Sequence, residues 1–237
     1  MFGRMTEGPP PKRPRQPPPQ PPVALEDRDA DEARLFSPSA ARNRDAVRDA
    51  FLSVAPAAGV VLEVGSGTGE HAVHIAAAAP QVAWRPGDPD PASRASIAAW
   101  TRRLGLPNVA PPHAIDVADA EWGAAADAPG GLDAIVSCNM IHIAPPSAYH
   151  GLIAGAGAHL ADGGILFVYG PFMRDGRHTA PSNADFDASL QARDPSWGVR
   201  DLDRDLVPHA LTVGLTLEKT IPMPANNLSV VFRKASG

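Results

Sequence analysis

The chain has 237 residues and a formal net charge of −5, with 44% hydrophobic residues, 27 prolines and a single cysteine, Cys138. One cysteine excludes an internal disulfide framework and a cysteine-rich zinc site, and the apolar fraction is enough to build a full core. The amino terminus lacks the apolar stretch of a secretory signal, and no segment approaches the roughly 18 consecutive apolar residues of a membrane span. We therefore expect a soluble, cytoplasmic protein.

Residues 1–22 contain nine prolines, with four basic residues against one acidic residue, which leaves a net charge of −8 on residues 23–237. A segment with so little to bury is expected to be disordered with polyproline II character, and its PxxP spacings suit an SH3-type reader. Residues 23–33 are acidic and are expected to be a linker, so we predict one domain over 34–237. The acidic body disfavours a nucleic-acid partner, because such partners require a basic surface.

From Phe36 onward the pattern predicts helices that alternate with strands. Ser37 or Ser39 is expected to cap a first helix, Asp90 followed by a proline to start a third, and Ser147 to cap a fourth. Short apolar runs bounded by turn residues predict buried strands, and their alternation with helices predicts a doubly wound, mostly parallel α/β sheet. The strands are predicted at 60–64, 81–86, 109–115, 132–138, 164–169, 215–221 and 227–233, and the other helices at 71–79 and 203–213.

The first strand and the helix after it are joined by a glycine-rich loop, Gly65-Ser66-Gly67-Thr68-Gly69. Such a turn lies beyond the carboxyl end of its strand, where doubly wound proteins bind ligands. A dinucleotide loop would need a small residue where Glu70 stands, and a phosphate-binding P-loop would need a lysine. Glu63, at the end of the strand, is instead placed to face a cationic group such as an ammonium or a sulfonium.

Two further acids end the next two predicted strands. Asp88 follows the second, where a carboxylate can accept hydrogen bonds from both ribose hydroxyls. Asp116 follows the third, where it can accept from an exocyclic adenine amine. Each acid alone could be a turn residue, but three acids at successive strand tips form a more specific pattern.

On these residues the chain resembles the class I S-adenosylmethionine-dependent methyltransferases. "VVLEVGSGTG" resembles their first motif, Asp88 their ribose acid, and Asp116 with Val117 their adenine pair. The resemblance implies a Rossmann-like fold with seven strands, the last antiparallel, and S-adenosylmethionine as the cofactor. It also makes the first helix, with Asn43 and Arg44, a cover over the cofactor, and Arg44 a partner for the cofactor's carboxylate; an exposed helical arginine is the alternative.

A closer resemblance is carried by "SPSAARNRD", "DPDPASRASIAAW", "CNMIHIAPP" and the segment from Gly170 to Leu202. These stretches are similar to domain-of-unknown-function family 938, the methyltransferase-like protein 26 type, over about 36–233. The resemblance implies a methyltransferase whose acceptor is not specified.

The loop after the fourth predicted strand should lie beside the reacting methyl group. The resemblance places Asn139 and Met140 of this loop against the cofactor. His142 and His178 are candidate general bases, since the unperturbed pKa of histidine is about 6.5, although a histidine satisfied by a backbone carbonyl is the alternative. The loop lacks the [DNS]PP[YF] pattern of nucleobase and glutamine N-methyltransferases. We expect no metal, because His71 and His74 have no third ligand.

Residues 171–201 are rich in polar and aromatic groups and are predicted to be an ordered substrate cap. The predicted function is methyl transfer from S-adenosylmethionine to a small-molecule acceptor. The alternatives are a non-catalytic S-adenosylmethionine-binding scaffold and a nicotinamide oxidoreductase, which the absence of a Tyr-x-x-x-Lys pair disfavours.

Overall fold

The computed structural model describes residues 29–119 and 122–236. The Pro-rich tail and most of the acidic linker predicted from the sequence lie outside the described residues, and the domain boundary at residue 34 stays a prediction. The described part begins with a small antiparallel hairpin of β1 (Asp29–Asp31) and β2 (Arg34–Phe36). Within it, no helix is both long and apolar enough to cross a bilayer.

Helices and strands then alternate as the sequence predicts, except that residues 109–115 form no strand and residues 171–201 contain a helix and two short strands that it does not predict. The helices are α1 (Pro38–Leu52), α2 (Glu70–Ala78), α3 (Pro91–Leu104), α4 (Pro146–His159), α5 (Pro181–Arg193) and α6 (Val207–Thr212). The remaining strands are β3 (Gly59–Val64), β4 (Val82–Gly87), β5 (Leu132–Cys138), β6 (Leu160–Gly170), β7 (Met173–Arg174), β8 (Arg177–His178), β9 (Leu215–Met223) and β10 (Asn227–Lys234).

Two of the three predicted helix starts are confirmed. The Ser37 hydroxyl accepts from the Ala40 backbone N–H at the start of α1, and the Asp90 carboxylate caps α3. The prediction for Ser147 is wrong, because α4 starts at Pro146 and its N-cap is Pro145, two residues before the predicted cap. The fixed φ of Pro146 suits the first helical position, so the proline, rather than the serine, sets the start.

The main sheet has six strands in the order β4-β3-β5-β6-β10-β9. The first four are parallel, as expected for strands joined by crossover helices, whereas β10 runs antiparallel between β6 and β9. The antiparallel last strand agrees with the prediction. The parallel arrangement brings the carboxyl ends of β3, β4, β5 and β6 to one edge, here called the strand-tip edge.

The third predicted strand, 109–115, does not form, so the sheet has six strands rather than seven. These residues run parallel to β4 and make isolated bridges at Val109 and His113. Pro111 and Pro112 have no backbone N–H, so the ladder between the two bridges cannot be completed. The segment still lies alongside β4, the outermost strand of the sheet, and brings Asp116 to the strand-tip edge.

Helices cover both faces of the sheet and bury two apolar clusters. On one face Phe51 of α1 makes edge-to-face contacts with Trp84 and Phe167, each at 5.5 Å between ring centroids. On the other face α4 and α6 pack over Leu62, Ile135 and other residues of the sheet. These two layers hold the strands rigidly, so the residues at the strand-tip edge have fixed positions.

Residues 171–201 form an ordered cap, made of the β7–β8 hairpin, α5 and an extended segment. The Arg200 guanidinium fixes the cap to the loop after β5 by donating to the carbonyls of Ile141 and Ala144, and it also donates to the Ser196 carbonyl within the cap. The Asn183 side chain fixes α5 to the β9–β10 turn by donating to the Asn226 carbonyl at 3.0 Å. A π-helical turn, Leu202–Leu206, leads into α6, where the sequence predicts one continuous helix.

Candidate functional site

The glycine loop at the tip of β3 has left-handed backbone at three positions. Gly65, Gly67 and Gly69 have φ values of 67°, 56° and 85°, which side chains rarely adopt. The Ser66 hydroxyl contacts the Gly87 backbone N–H at 3.3 Å and thereby joins the tips of β3 and β4. The Thr68 hydroxyl donates to Glu70 at 3.0 Å. Both side chains therefore stabilise the loop, and the backbone of the loop is the part that can contact a ligand.

Glu63, at the end of β3, is 1% exposed and accepts a hydrogen bond from the Trp84 indole at 3.1 Å. Within the described residues no Lys or Arg nitrogen lies within 4.0 Å of its carboxylate. Burial without a cation raises the pKa of Glu63 to about 7. This group is suited to a positively charged ligand, as the sequence indicates, because such a ligand would supply the missing counter-charge.

Asp88, beyond the tip of β4, is held in one orientation by two backbone N–H groups. Gly67 donates to one carboxylate oxygen at 2.8 Å and Asp90 to the other at 2.9 Å. A carboxylate oxygen can accept more than one hydrogen bond, so a carboxylate in this position suits a ligand that offers hydroxyl donors. The first of these bonds also ties the carboxylate directly to the glycine loop.

Asp116 and Val117 lie next along the edge. The Asp116 carboxylate is exposed and accepts from the Ala118 N–H at 2.9 Å, whereas the Val117 side chain is buried. One polar and one apolar group are thus presented side by side. Such a pair can hold the edge and the face of a purine.

The first helix lies against α2 through polar contacts. Glu70 accepts from the Ser37 N–H at 2.7 Å, and the His71 ring nitrogen contacts Asn43 Oδ1 at 2.8 Å. Burial lowers the pKa of His71 to about 4, so this ring is neutral and donates to Asn43. His71 and His74 therefore join two helices, and the described residues contain no cluster suited to a metal ion.

Arg44 extends from the same helix, half-buried and close enough to His71 to lower the pKa of that ring. No carboxylate among the described residues lies within ion-pair distance of its guanidinium. A half-buried cation beside the first turn of α2 is consistent with the predicted carboxylate partner.

The loop after β5 places Asn139, Met140 and His142 at the strand-tip edge. Asn139 has a left-handed φ of 61°, and Met140 packs against Gly65, so a Cβ on that glycine would lie 2.6 Å from the Met140 side chain. His142 is 1% exposed, and burial together with the nearby Arg200 lowers its pKa to about 3. The His142 Nδ1 accepts from the Arg200 backbone N–H at 3.3 Å. This environment is unfavourable for the predicted general base.

His178 differs from His142 in that a carboxylate lies beside its ring. Its Nε2 lies 3.4 Å from Asp187 Oδ2, and its Nδ1 is buried with no hydrogen-bond partner among the described residues. A carboxylate at Nε2 holds the proton on that nitrogen and leaves the lone pair on Nδ1. Asp187 is fixed in turn by the Val199 N–H at 2.7 Å. The described hydrogen bonds place this pair within the cap and do not link it to the glycine loop.

The sequence does not single out Tyr169 and Asn227, two side chains at the strand-tip edge. Tyr169, at the end of β6, is 1% exposed and its hydroxyl accepts from the Asn227 amide at 2.8 Å. Asn43 faces the same hydroxyl, which connects α1 to the sheet. A tyrosine that ends an otherwise apolar strand is the only signal that could have found this group.

Comparisons with known proteins agree with the fold. The fold is similar to that of an O-methyltransferase family protein from Burkholderia thailandensis, with a TM-score of 0.66 and 18% identity, over 82% of this chain and 60% of that one. An O-methyltransferase family 2 protein from Planctomyces limnophilus in complex with apigenin matches with a TM-score of 0.66 and 21% identity, over 83% and 60% of the two chains. PigF with SAH matches with a TM-score of 0.62 and 17% identity, over 81% and 60%.

At these identities the likeness shows the fold of the class I methyltransferases, and the chain spans less than two thirds of the length of these three structures. The family model described as "Protein of unknown function (DUF938)" matches residues 34–234, which is most of the chain. The chain therefore belongs to the DUF938 family.

Proposed function

We propose that the protein transfers a methyl group from S-adenosylmethionine to a small-molecule acceptor. The observation that carries the proposal is Glu63, a buried carboxylate with no Lys or Arg of the described residues within 4.0 Å, beside the glycine loop and the fixed carboxylate of Asp88. These groups match the charges of the cofactor: its ammonium and sulfonium are positive, and its ribose offers two hydroxyl donors.

The chain has a group for each part of the cofactor. The glycine loop and Glu63 would hold the amino acid end, with Arg44 on its carboxylate. Asp88 would accept from the ribose, and Asp116 and Val117 would contact the adenine. Met140 closes the site from the β5 loop by packing on Gly65. When bound, S-adenosylmethionine supplies an electrophilic methyl group.

The acceptor side is formed by the cap. We infer that His178 takes the acceptor's proton, because Asp187 orients its ring and its buried Nδ1 has no hydrogen-bond partner among the described residues. A small molecule is favoured by the net charge of −8 on the body of the chain and by the fold neighbours, which include O-methyltransferases.

The first experiment is isothermal titration with S-adenosylhomocysteine on the wild type and on Asp88→Asn. Loss of charged hydrogen bonds is worth about 1.5–3 kcal/mol, so we expect binding at least roughly tenfold weaker in the variant. Asp185→Asn, an exposed acid on α5, is the matched control and should bind as the wild type does. Equal affinity in all three proteins would remove Asp88 from the site, and binding of NADH instead would support an oxidoreductase.

A second experiment separates an enzyme from a cofactor-binding scaffold. The wild type is incubated with methyl-labelled S-adenosylmethionine and a broad panel of hydroxyl and amine acceptors. Turnover that is lost in His178→Gln, with cofactor affinity retained, supports the proposal. Tight cofactor binding without turnover on any acceptor favours the scaffold.

A further inference from the structure

The turn of α1 that carries Arg44 is held by polar contacts rather than by apolar packing. The buried apolar residues of α1 are Ala40 in its first turn and Val47, Ala50 and Phe51 toward its end. Between them, none of residues 41–46 is buried. Hydrogen bonds therefore determine how this turn of the helix is placed over the strand-tip edge.

Asn43, the neighbour of Arg44, makes these hydrogen bonds on two sides. Its Oδ1 lies 2.8 Å from His71 Nε2 in the first turn of α2. Its side chain also hydrogen-bonds to the Tyr169 hydroxyl at the end of β6. Since the Asn43 oxygen accepts from His71, its amide N–H is the group that donates to the tyrosine. One side chain thus joins α1 both to α2 and to the sheet.

The Tyr169 hydroxyl is itself fixed by a second amide. The residue is buried, and the Asn227 amide donates to its hydroxyl at 2.8 Å. Asn227 follows directly on the β9–β10 turn, in which the Asn226 carbonyl accepts from Asn183 of α5 at 3.0 Å. The hydroxyl therefore gives Asn43 a partner whose position is set by the sheet and by the cap.

Arg44 depends on this placement more than most side chains do. It is half-buried, and none of the described carboxylates forms an ion pair with it. A long side chain without such a partner keeps much of its rotamer freedom, so the helix decides which region its guanidinium can reach. An arginine binds a carboxylate best through two parallel hydrogen bonds, which require a defined position and orientation.

We propose that Tyr169 is a positioning residue for the cofactor: its hydroxyl holds Asn43, and through Asn43 it places Arg44 on the cofactor's carboxylate. Tyr169 itself does not touch the ligand in this assignment. The inference rests on the proposed function and deepens it, because it names the groups that orient the amino acid end of the site.

The test compares two ligands that share an adenosine. S-adenosylhomocysteine carries the carboxylate, and 5′-methylthioadenosine lacks the whole amino acid. Both are titrated calorimetrically into the wild type and into Tyr169→Phe, which keeps the buried ring and removes only the hydroxyl. We expect S-adenosylhomocysteine to bind about fivefold more weakly to the variant, and 5′-methylthioadenosine to change by less than about twofold. A merely structural role would weaken both ligands alike.

Three further variants assign the effect to these side chains. Asn43→Ala should reproduce the selective loss, because it removes the link between Tyr169 and α1. Arg44→Gln should weaken S-adenosylhomocysteine alone, and adding Tyr169→Phe to it should cause no further loss, because the group that Tyr169 positions is then absent. Tyr149→Phe, at the other tyrosine of the chain, on α4, is the matched control and should bind both ligands as the wild type does.

Three results would overturn the proposal and leave the proposed function standing. They are unchanged binding of S-adenosylhomocysteine by Tyr169→Phe, an equal loss for the two ligands, and a loss that persists in full when Arg44 is already glutamine. A wild type that binds neither ligand would overturn the proposed function together with this inference. If Tyr169→Phe does not fold, Asn43→Ala, alone and combined with Arg44→Gln, decides by the same criteria.

Discussion

Replacing Glu63 by glutamine isolates the effect of burying a carboxylate without a cation. The pKa of Glu63 is raised from 4.5 to about 7 by burial. An acid with a raised pKa in the folded state stabilises the protein below its unfolded pKa, and this contribution is lost as pH rises to about 7. The loss amounts to about 3 kcal/mol, at about 1.36 kcal/mol for each pKa unit.

Glutamine is uncharged at every pH and can accept from Trp84 as the glutamate does. We therefore expect Glu63→Gln and the wild type to have similar free energies of unfolding near pH 5. Near pH 8.5 the variant should be more stable by about 3 kcal/mol, because only the wild type then buries a charge. The quantity to compare is the difference in free energy of unfolding between the variant and the wild type at each pH. His71 and His142 have lowered pKa values and stabilise both proteins as pH rises, and taking the difference removes this shared contribution.

The assay is urea denaturation of both proteins without cofactor at several pH values, followed by the same series with saturating S-adenosylhomocysteine. The ligand's ammonium should ionise Glu63 and remove or reverse the advantage of the variant at high pH. In parallel, the affinity of the wild type for the ligand should weaken about tenfold for each pH unit below 7, and that of the variant should not. A stability difference that is flat between pH 5 and 8.5 would refute the reasoning.

Two further predictions concern the loop and the cap. Gly65→Ala should lower the free energy of unfolding more than Gly105→Ala does in urea denaturation. Both glycines lie at positive φ, but a Cβ at Gly65 would collide with Met140, whereas the space beside Gly105 is open. Equal losses in the two variants would contradict this prediction, because the loop would then accommodate the Cβ without cost. Arg200→Met should lower the free energy of unfolding by about 2–4 kcal/mol, because three carbonyls lose a charged donor. The control, Arg177→Met at an exposed position, should change it by less than about 0.5 kcal/mol. Similar effects in the two variants would contradict this role for Arg200.

Much of the fold follows from local pattern. The strand–glycine–helix unit around Glu63 and the Asp90-Pro91 start of α3 are set by residues that are neighbours in sequence, so they could be predicted. The segment 109–115 could not be assigned correctly, because its apolar pattern suggests a strand while two prolines remove the donors that a strand requires. A pattern of hydrophobicity does not report hydrogen-bonding capacity.

The site divides in the same way. The positions of Glu63 and Asp88 follow from where their strands end, and the structure brings both to the glycine loop. The environment of His142 depends on a contact with Arg200, which lies far along the chain. The environment of His178 depends on Asp187, which lies in another element of the cap. Those contacts determine which ring nitrogen carries the proton, and sequence order does not reveal them.

The central claim is that the strand-tip edge holds S-adenosylmethionine, and the most direct test is a crystal structure of the protein with S-adenosylhomocysteine. We predict the amino group of the ligand on Glu63, the ribose hydroxyls on Asp88 and the adenine beside Asp116 and Val117. A ligand bound elsewhere on the protein, with Glu63 and Asp88 in contact only with protein groups, would contradict the account.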